Sequence, residues 1–201
     1  MTAGLQGLKS YRLHMLFTVD AKDRSVNPQQ GTLDIVEDID NAGHSLHARL
    51  LTAGNLNSGY GVSGAASETY FLDGTTFLVD SGKCRFLSKK PYSGLAGITV
   101  SPDEYFGPIA TATLLARAET ANLVTADHYT FAAAALGRQL KGMNMTQGDV
   151  WVASDGYTVK LGGKGAGTDQ YGSVGTVSVS YDVVMINQLT PIKAPADCVA
   201  P

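Results

Sequence analysis

The chain has 201 residues, 44% of them hydrophobic and 16% charged, with a formal net charge of −3. That length suits one domain over residues 1–201, and the slight acidity leaves no basic field for nucleic acid or an anionic membrane surface. No apolar stretch approaches the ~20 residues that span a bilayer, and 23 glycines favour a turn-rich all-β or α+β architecture over a helical bundle.

The N-terminal half alternates. Tyr11, Leu13, Met15, Phe17 and Val19 share one face of a first strand, with Arg12, His14 and Thr18 opposite. Asn27-Pro28 and Gln30-Gly31 predict a turn, followed by a strand over 32–39. Asp40-Asn41-Ala42-Gly43 is a hairpin loop. A third strand over 45–51 puts Leu46, Ala48 and Leu50 on one face. Strands are predicted at 67–72, 75–79 and 83–87, with Asp73-Gly74 and Ser81-Gly82 as the turns between them. Consecutive strands of such a meander lie side by side.

The pattern changes at Ser101, which reads as a helix N-cap, with Pro102 in the first helical position and Glu104 closing a capping box. Pro108 predicts a kink, and the alanine- and leucine-rich segment 109–118 continues the helix. A strand over 127–131 and a short helix over 132–141 follow. Val150, Trp151 and Val152 then form one arm of a hairpin, Asp155-Gly156 its turn, and Tyr157, Val159 and Leu161 one face of the other arm. Gly162-Gly163-Lys164-Gly165-Ala166-Gly167 reads as a flexible loop; no helix follows it, so it is no phosphate cradle. The last strand, over 177–185, sets Val177, Val179, Tyr181 and Val183 against Thr176, Ser178, Ser180 and Asp182. The whole predicts about ten antiparallel strands in one sheet, with two or three helices on one face.

Chemistry-bearing residues do not converge. Cys84 and Cys198 match no zinc or redox spacing. They read foremost as a disulfide pinning the C-terminal tail, which places the chain in an oxidising compartment; two free thiols or a catalytic thiol remain the alternatives. His44 and His47 fall on opposite strand faces, so no metal is expected, and His128 reads as a hydrogen-bonded structural histidine. Ser63 lacks the nucleophile-elbow context. Glu37 with Asp38, and Asp103 with Glu104, read as solvated face and helix cap. No catalytic residue and no cofactor is expected, and the chain reads as no enzyme. What remains is an apolar face too long for the few helical residues to cover. It is either a solid core or a cavity for an acyl chain. The candidate lining is Leu13, Met15, Phe17, Leu33, Ile35, Leu46, Leu50, Phe106, Ile109, Leu114 and Val179, apolar at strand or helix spacing.

Several short matches in order carry a resemblance over about residues 10–198. They are Ser10-Tyr11-Arg12, Asp127-His128-Tyr129-Thr130-Phe131, Gly148-Asp149-Val150-Trp151-Val152 with Asp155-Gly156-Tyr157, Tyr181-Asp182-Val183 leading to Ile186-Asn187, and Pro195-Ala196-Asp197-Cys198. In these the chain resembles the LolA/LolB-like superfamily of extracytoplasmic lipoprotein and lipid carriers, including its LppX/LprG branch. The resemblance implies an α+β fold: a curved antiparallel sheet forming an incomplete β-barrel, with helices packed on the concave face over a hydrophobic cavity. It implies binding of a lipid, or of the acyl chain of a lipoprotein, without catalysis. The alternative on the same fold is a sensor or scaffold domain of the cell envelope that binds a protein partner. A monomer, outside the cytoplasm, is expected. Met1-Thr2-Ala3-Gly4 has neither the basic region nor the apolar core of a signal peptide, so any leader or lipid anchor is expected to lie outside this chain.

Overall fold

The computed structural model describes residues 4–22, 28–56, 66–89, 109, 111–132, 134–135, 142–168, 172 and 174–199. Strands dominate them: β1 (Ser10–Lys22), β2 (Pro28–Asp40), β3 (Ser45–Gly54), β4 (Ala66–Leu72), β5 (Thr75–Asp80), β6 (Lys83–Lys89), β7 (Thr113–Ala121), β8 (Val124–Phe131), β9 (Ala134–Ala135), β10 (Met143–Ala153), β11 (Thr158–Thr168) and β12 (Val174–Val184). All join one sheet in the order β6-β5-β4-β3-β2-β1-β12-β11-β10-β8-β7, with β9 paired to β10. Every pairing is antiparallel, and β1 pairs with β12, so first and last strands meet at the centre of the sheet. Among the described residues β6 and β7 are its two edge strands.

Alternation decides which face is which. Along β1, Leu13, Met15, Phe17 and Val19 are buried while His14 and Thr18 are not. Met15 faces Ile35 on β2 and Tyr181 on β12, and Phe17 faces Leu33 and Val179, so the apolar residues of three central strands form continuous rows. One core cluster collects the inward residues of both flanks, from Leu46 and Phe71 on one side to Val150 and Phe131 on the other. The sheet curls around this face. The β7–β8 turn reaches back far enough for Asn122 Nδ2 to lie within hydrogen-bond distance of Val159 O (3.2 Å), Val183 O (3.3 Å) and Asp182 Oδ1 (3.0 Å), on β11 and β12.

Five expectations change. Residues 113–118, expected in the helix, belong to edge strand β7, and residues 101–108 lie outside the described residues. Helical propensity differs by only tenths of a kcal/mol between residues, and a ladder with β8 outweighs it. Of the expected helix over 132–141, Ala134–Ala135 instead pairs with β10, and 133 and 136–141 are not described. Among the described residues the one helical element is a 3-10 turn, Leu5–Gly7, so no helix on the concave face is found there. The glycine run 162–167 is no loop but the middle of β11, paired on both sides. Gln30-Gly31, expected in a turn, sits inside β2.

The tail crosses the sheet. Asn187 Oδ1 accepts the Lys9 (2.7 Å) and Ser10 (3.3 Å) amides, fixing its start at the central strands. Its end is bonded to the far edge through the Cys84–Cys198 disulfide (Cα–Cα 5.2 Å). From β12 to β6 is six strand spacings, about 29 Å. Residues 185–198 reach at most roughly 45 Å when extended, so the tail is long enough to strap that span. On the outer face near its end, Tyr70 and Phe77 face each other and are buried, a small apolar patch separate from the main core.

Candidate functional site

Of the expected lining residues, seven come together on the inner face: Leu13, Met15, Phe17, Leu33, Ile35, Leu46 and Val179, none more than 4% exposed. Leu50 faces Ile35 across the β2–β3 ladder and is half-buried against the same cluster. Ile109 is also half-buried and packs on it. Leu114 departs from the set: it lies on β7 at the sheet margin, 37% exposed. Phe106 lies outside the described residues. Leu161 and Tyr181, read from the sequence only as strand-face residues, and Met143 and Met145, which sequence reasoning passed over, are buried in the same cluster. Met143 and Met145 carry a signal, since they alternate at strand spacing ahead of Val150.

Glycines shape one end of this face. Gly163 faces Val179 and Gly165 faces Val177, both inward positions, and Gly165 is opposite Met145 on the other side. A Cβ on Gly165 would stand 2.5 Å from Asn144 O, and one on Gly163 would stand 2.8 Å from Met145 Sδ. The Met145 side chain thus occupies the room that Gly163 leaves empty, and the β10 backbone approaches Gly165. Gly148, between Gly163 and Phe131 in the same row, does the same for the Phe131 ring.

A carboxyl side chain also lies on this face. Glu37, expected to be solvated, is 1% exposed and faces Leu13 and Ala48. Parity along β2 explains it: Leu33, Ile35, Glu37 and Ile39 share one side.

The outer face is polar and internally paired. His14 contacts Asp34 (2.8 Å) and His47 contacts Glu68 (2.9 Å). His128 Nε2 is 3.0 Å from Asp149 and Nδ1 is 3.0 Å from Glu119, with its ring stacked on Trp151 at 4.1 Å, the structural role expected of it. Arg12 grips Asp38 through Nε and Nη2 at 2.6 and 2.8 Å, and that hydrogen bonding raises its pKa against the opposing effect of burial. Burial works to raise the Glu68 pKa, but hydrogen bonds from Tyr70 and His47, with the charges of His47 and Arg49, bring it below its ordinary value. Tyr70 donates to Glu68 at 2.9 Å, and burial together with that carboxylate pushes its pKa up to about 12. Tyr157, buried and near Asp155, is raised as well. His14, His47 and His128 are each held by a carboxylate on a neighbouring strand, an arrangement that stiffens a sheet surface. Among the described residues no three histidine, cysteine or acidic side chains converge as metal ligands would.

No family model and no curated protein matches the chain. Among solved structures it is similar to LprF from Mycobacterium bovis, at 12% identity over 98% of this chain and 94% of that one, with a TM-score of 0.44. It is similar to MucB, solved in complex with MucA(peri), at 13% identity over 98% of this chain and 58% of that one, with a TM-score of 0.32. It is also similar to the LolA superfamily protein NE2245 from Nitrosomonas europaea, at 9% identity over 90% and 89% of the two chains, with a TM-score of 0.29.

Proposed function

We propose that the protein is a non-catalytic, extracytoplasmic lipid-binding carrier that holds an acyl chain against the inner face of its sheet. The observation that carries the reading is the composition of that face. Leucine, isoleucine, methionine, phenylalanine and valine from the central strands form unbroken rows, with half-buried Leu50 and glycine-lined β11 at their margins. An acyl chain seated among such residues gains about 0.8 kcal/mol for each of its own methylenes removed from water, and needs no directed chemistry. The resemblance of the sequence to lipid and lipoprotein carriers agrees with it, and the Cys84–Cys198 disulfide agrees with an oxidising compartment.

A second reading has one observation in its favour. Edge strand β7 exposes Leu114 and Leu115 beside its open ladder, a surface that suits a protein partner of a sensor or scaffold. Native mass spectrometry of protein purified without detergent separates the two. A co-purifying lipid supports the carrier, a stoichiometric polypeptide supports the scaffold, and a bare chain in every preparation speaks against both.

A further inference from the structure

Between β7, β8 and the end of β10 the sheet opens into a cleft of about 400 Å³, within the range of small-molecule sites. Two irregularities open it from opposite sides. On β7 the register slips between Ala116, paired with His128, and Glu119, paired with Ala126, so Arg117 and Ala118 together oppose Asp127. On the far side the extra residue is Val159 of β11, between Lys160, paired with Trp151, and Thr158, paired with Val152, and Val152 is the residue paired with Asp127. A bulge re-aims side chains, and two bulges flanking one cross-strand pair set Asp127 between them. The first bulge requires Ala118 to take a φ of 55°, a left-handed conformation that alanine rarely adopts.

The lining is specific in chemistry. Its one carboxylate is Asp127, Tyr129 supplies an aromatic wall, and Ala118, Ala126, Ala153 and Gly156 keep the rest shallow and small. Asp127 Oδ1 accepts the Ala118 amide at 3.2 Å, which fixes the carboxylate. Oδ2 meets only the end of Arg117, at 3.4 Å, and Arg117 is 75% exposed. A counter-ion so long and so solvated is exchangeable.

We propose that this cleft binds a small ammonium group, with Asp127 as its counter-charge and the Tyr129 ring as its cation–π wall. The ammonium displaces the Arg117 guanidinium from Oδ2, while the Ala118 amide keeps its hold on Oδ1. The site needs a cation and no hydrocarbon, so it stands independently of the acyl-chain reading. The group can belong to a free amine or to a phospholipid headgroup.

The test is a titration followed by amide and side-chain NMR shifts. The probes are choline, its uncharged isostere 3,3-dimethylbutan-1-ol, and short-chain phosphatidylcholine below its micelle concentration. Choline is expected to shift Ala118, Asp127, Tyr129 and Val152, and the isostere to leave them unmoved. Asp127→Asn weakens choline binding by about tenfold or more, and Arg117→Gln, which removes the competing cation, tightens it by about two- to fivefold. A phosphatidylcholine that binds through Asp127 more tightly than choline identifies a headgroup, and equal binding identifies a free amine; both support the site. Equal shifts from choline and its isostere, no shift from any probe, or choline binding indifferent to Asp127→Asn would overturn it. If Asp127→Asn does not fold, Arg117→Gln decides alone, and unchanged or weaker choline binding in that variant sinks the proposal.

Discussion

At Tyr70 the surroundings of one hydroxyl set a pH dependence for the whole protein. The unfolded phenol ionises near 10, and in the folded sheet burial and the Glu68 carboxylate push it up to about 12. Between those values the unfolded chain releases a proton that the folded chain retains. The contribution is therefore fully present below about pH 10 and is lost as pH rises towards about 12. Urea unfolding of wild type is expected to show stability falling across this window, and Tyr70→Phe is expected to flatten that fall by roughly 2 kcal/mol. An unchanged slope in the variant would mean that the hydroxyl is not held as described. Glu37 belongs to the same scale and was not legible. A charged residue beside Asp38 reads as surface, and only the parity set by Leu33, Ile35 and Ile39 turns it inward.

Among the elements, those whose pattern arises from burial on one side were plain in the sequence. β1 and β12 alternate because one face meets the core, and the pattern needs no knowledge of the partner strands. β11 and β7 were misread for two different reasons. The glycines of β11 are dictated by what approaches them, the Asn144 carbonyl and the Met145 side chain, and neither is adjacent in sequence. Residues 113–118 carry good helix formers, and their strand comes from pairing with β8, which lies beyond local propensity. The expected lining followed the same division: its members on β1, β2, β3 and β12 meet on one face, and Leu114, chosen from the helical reading, lies at the margin. The β11 account makes a paired prediction. Gly165→Ala places its methyl against the Asn144 carbonyl and should cost about 1–3 kcal/mol. Gly162→Ala, whose methyl would meet nothing within 4 Å, should be neutral or stabilising by up to about 1 kcal/mol. Thermal melts of the two variants check this, and equal losses would place the glycines in a flexible segment after all.

The whole molecule is an open sheet held in its curve from both ends. Asn122 draws the β7–β8 flank onto β11 and β12, and the strap from β12 to Cys198 draws the β6 flank in the other direction. The disulfide closes most of the sheet into one covalent loop, with a separation of 114 residues. Loss of that constraint in the Cys84→Ser/Cys198→Ser variant should lower stability by about 3–5 kcal/mol in urea unfolding. Titration of the unreduced, unfolded wild type should find no free thiol. Variant stability equal to that of wild type would make the strap incidental to the fold. The central claim, an acyl chain against the inner face, is tested most directly by titration with a fluorescent fatty acid. Wild type should bind saturably, and Leu50→Trp, which adds bulk at a half-buried inner position, should weaken binding by about tenfold or more while circular dichroism shows the sheet retained. A wild-type protein that binds no fatty acid, or a Leu50→Trp protein that binds as well as wild type, would contradict it.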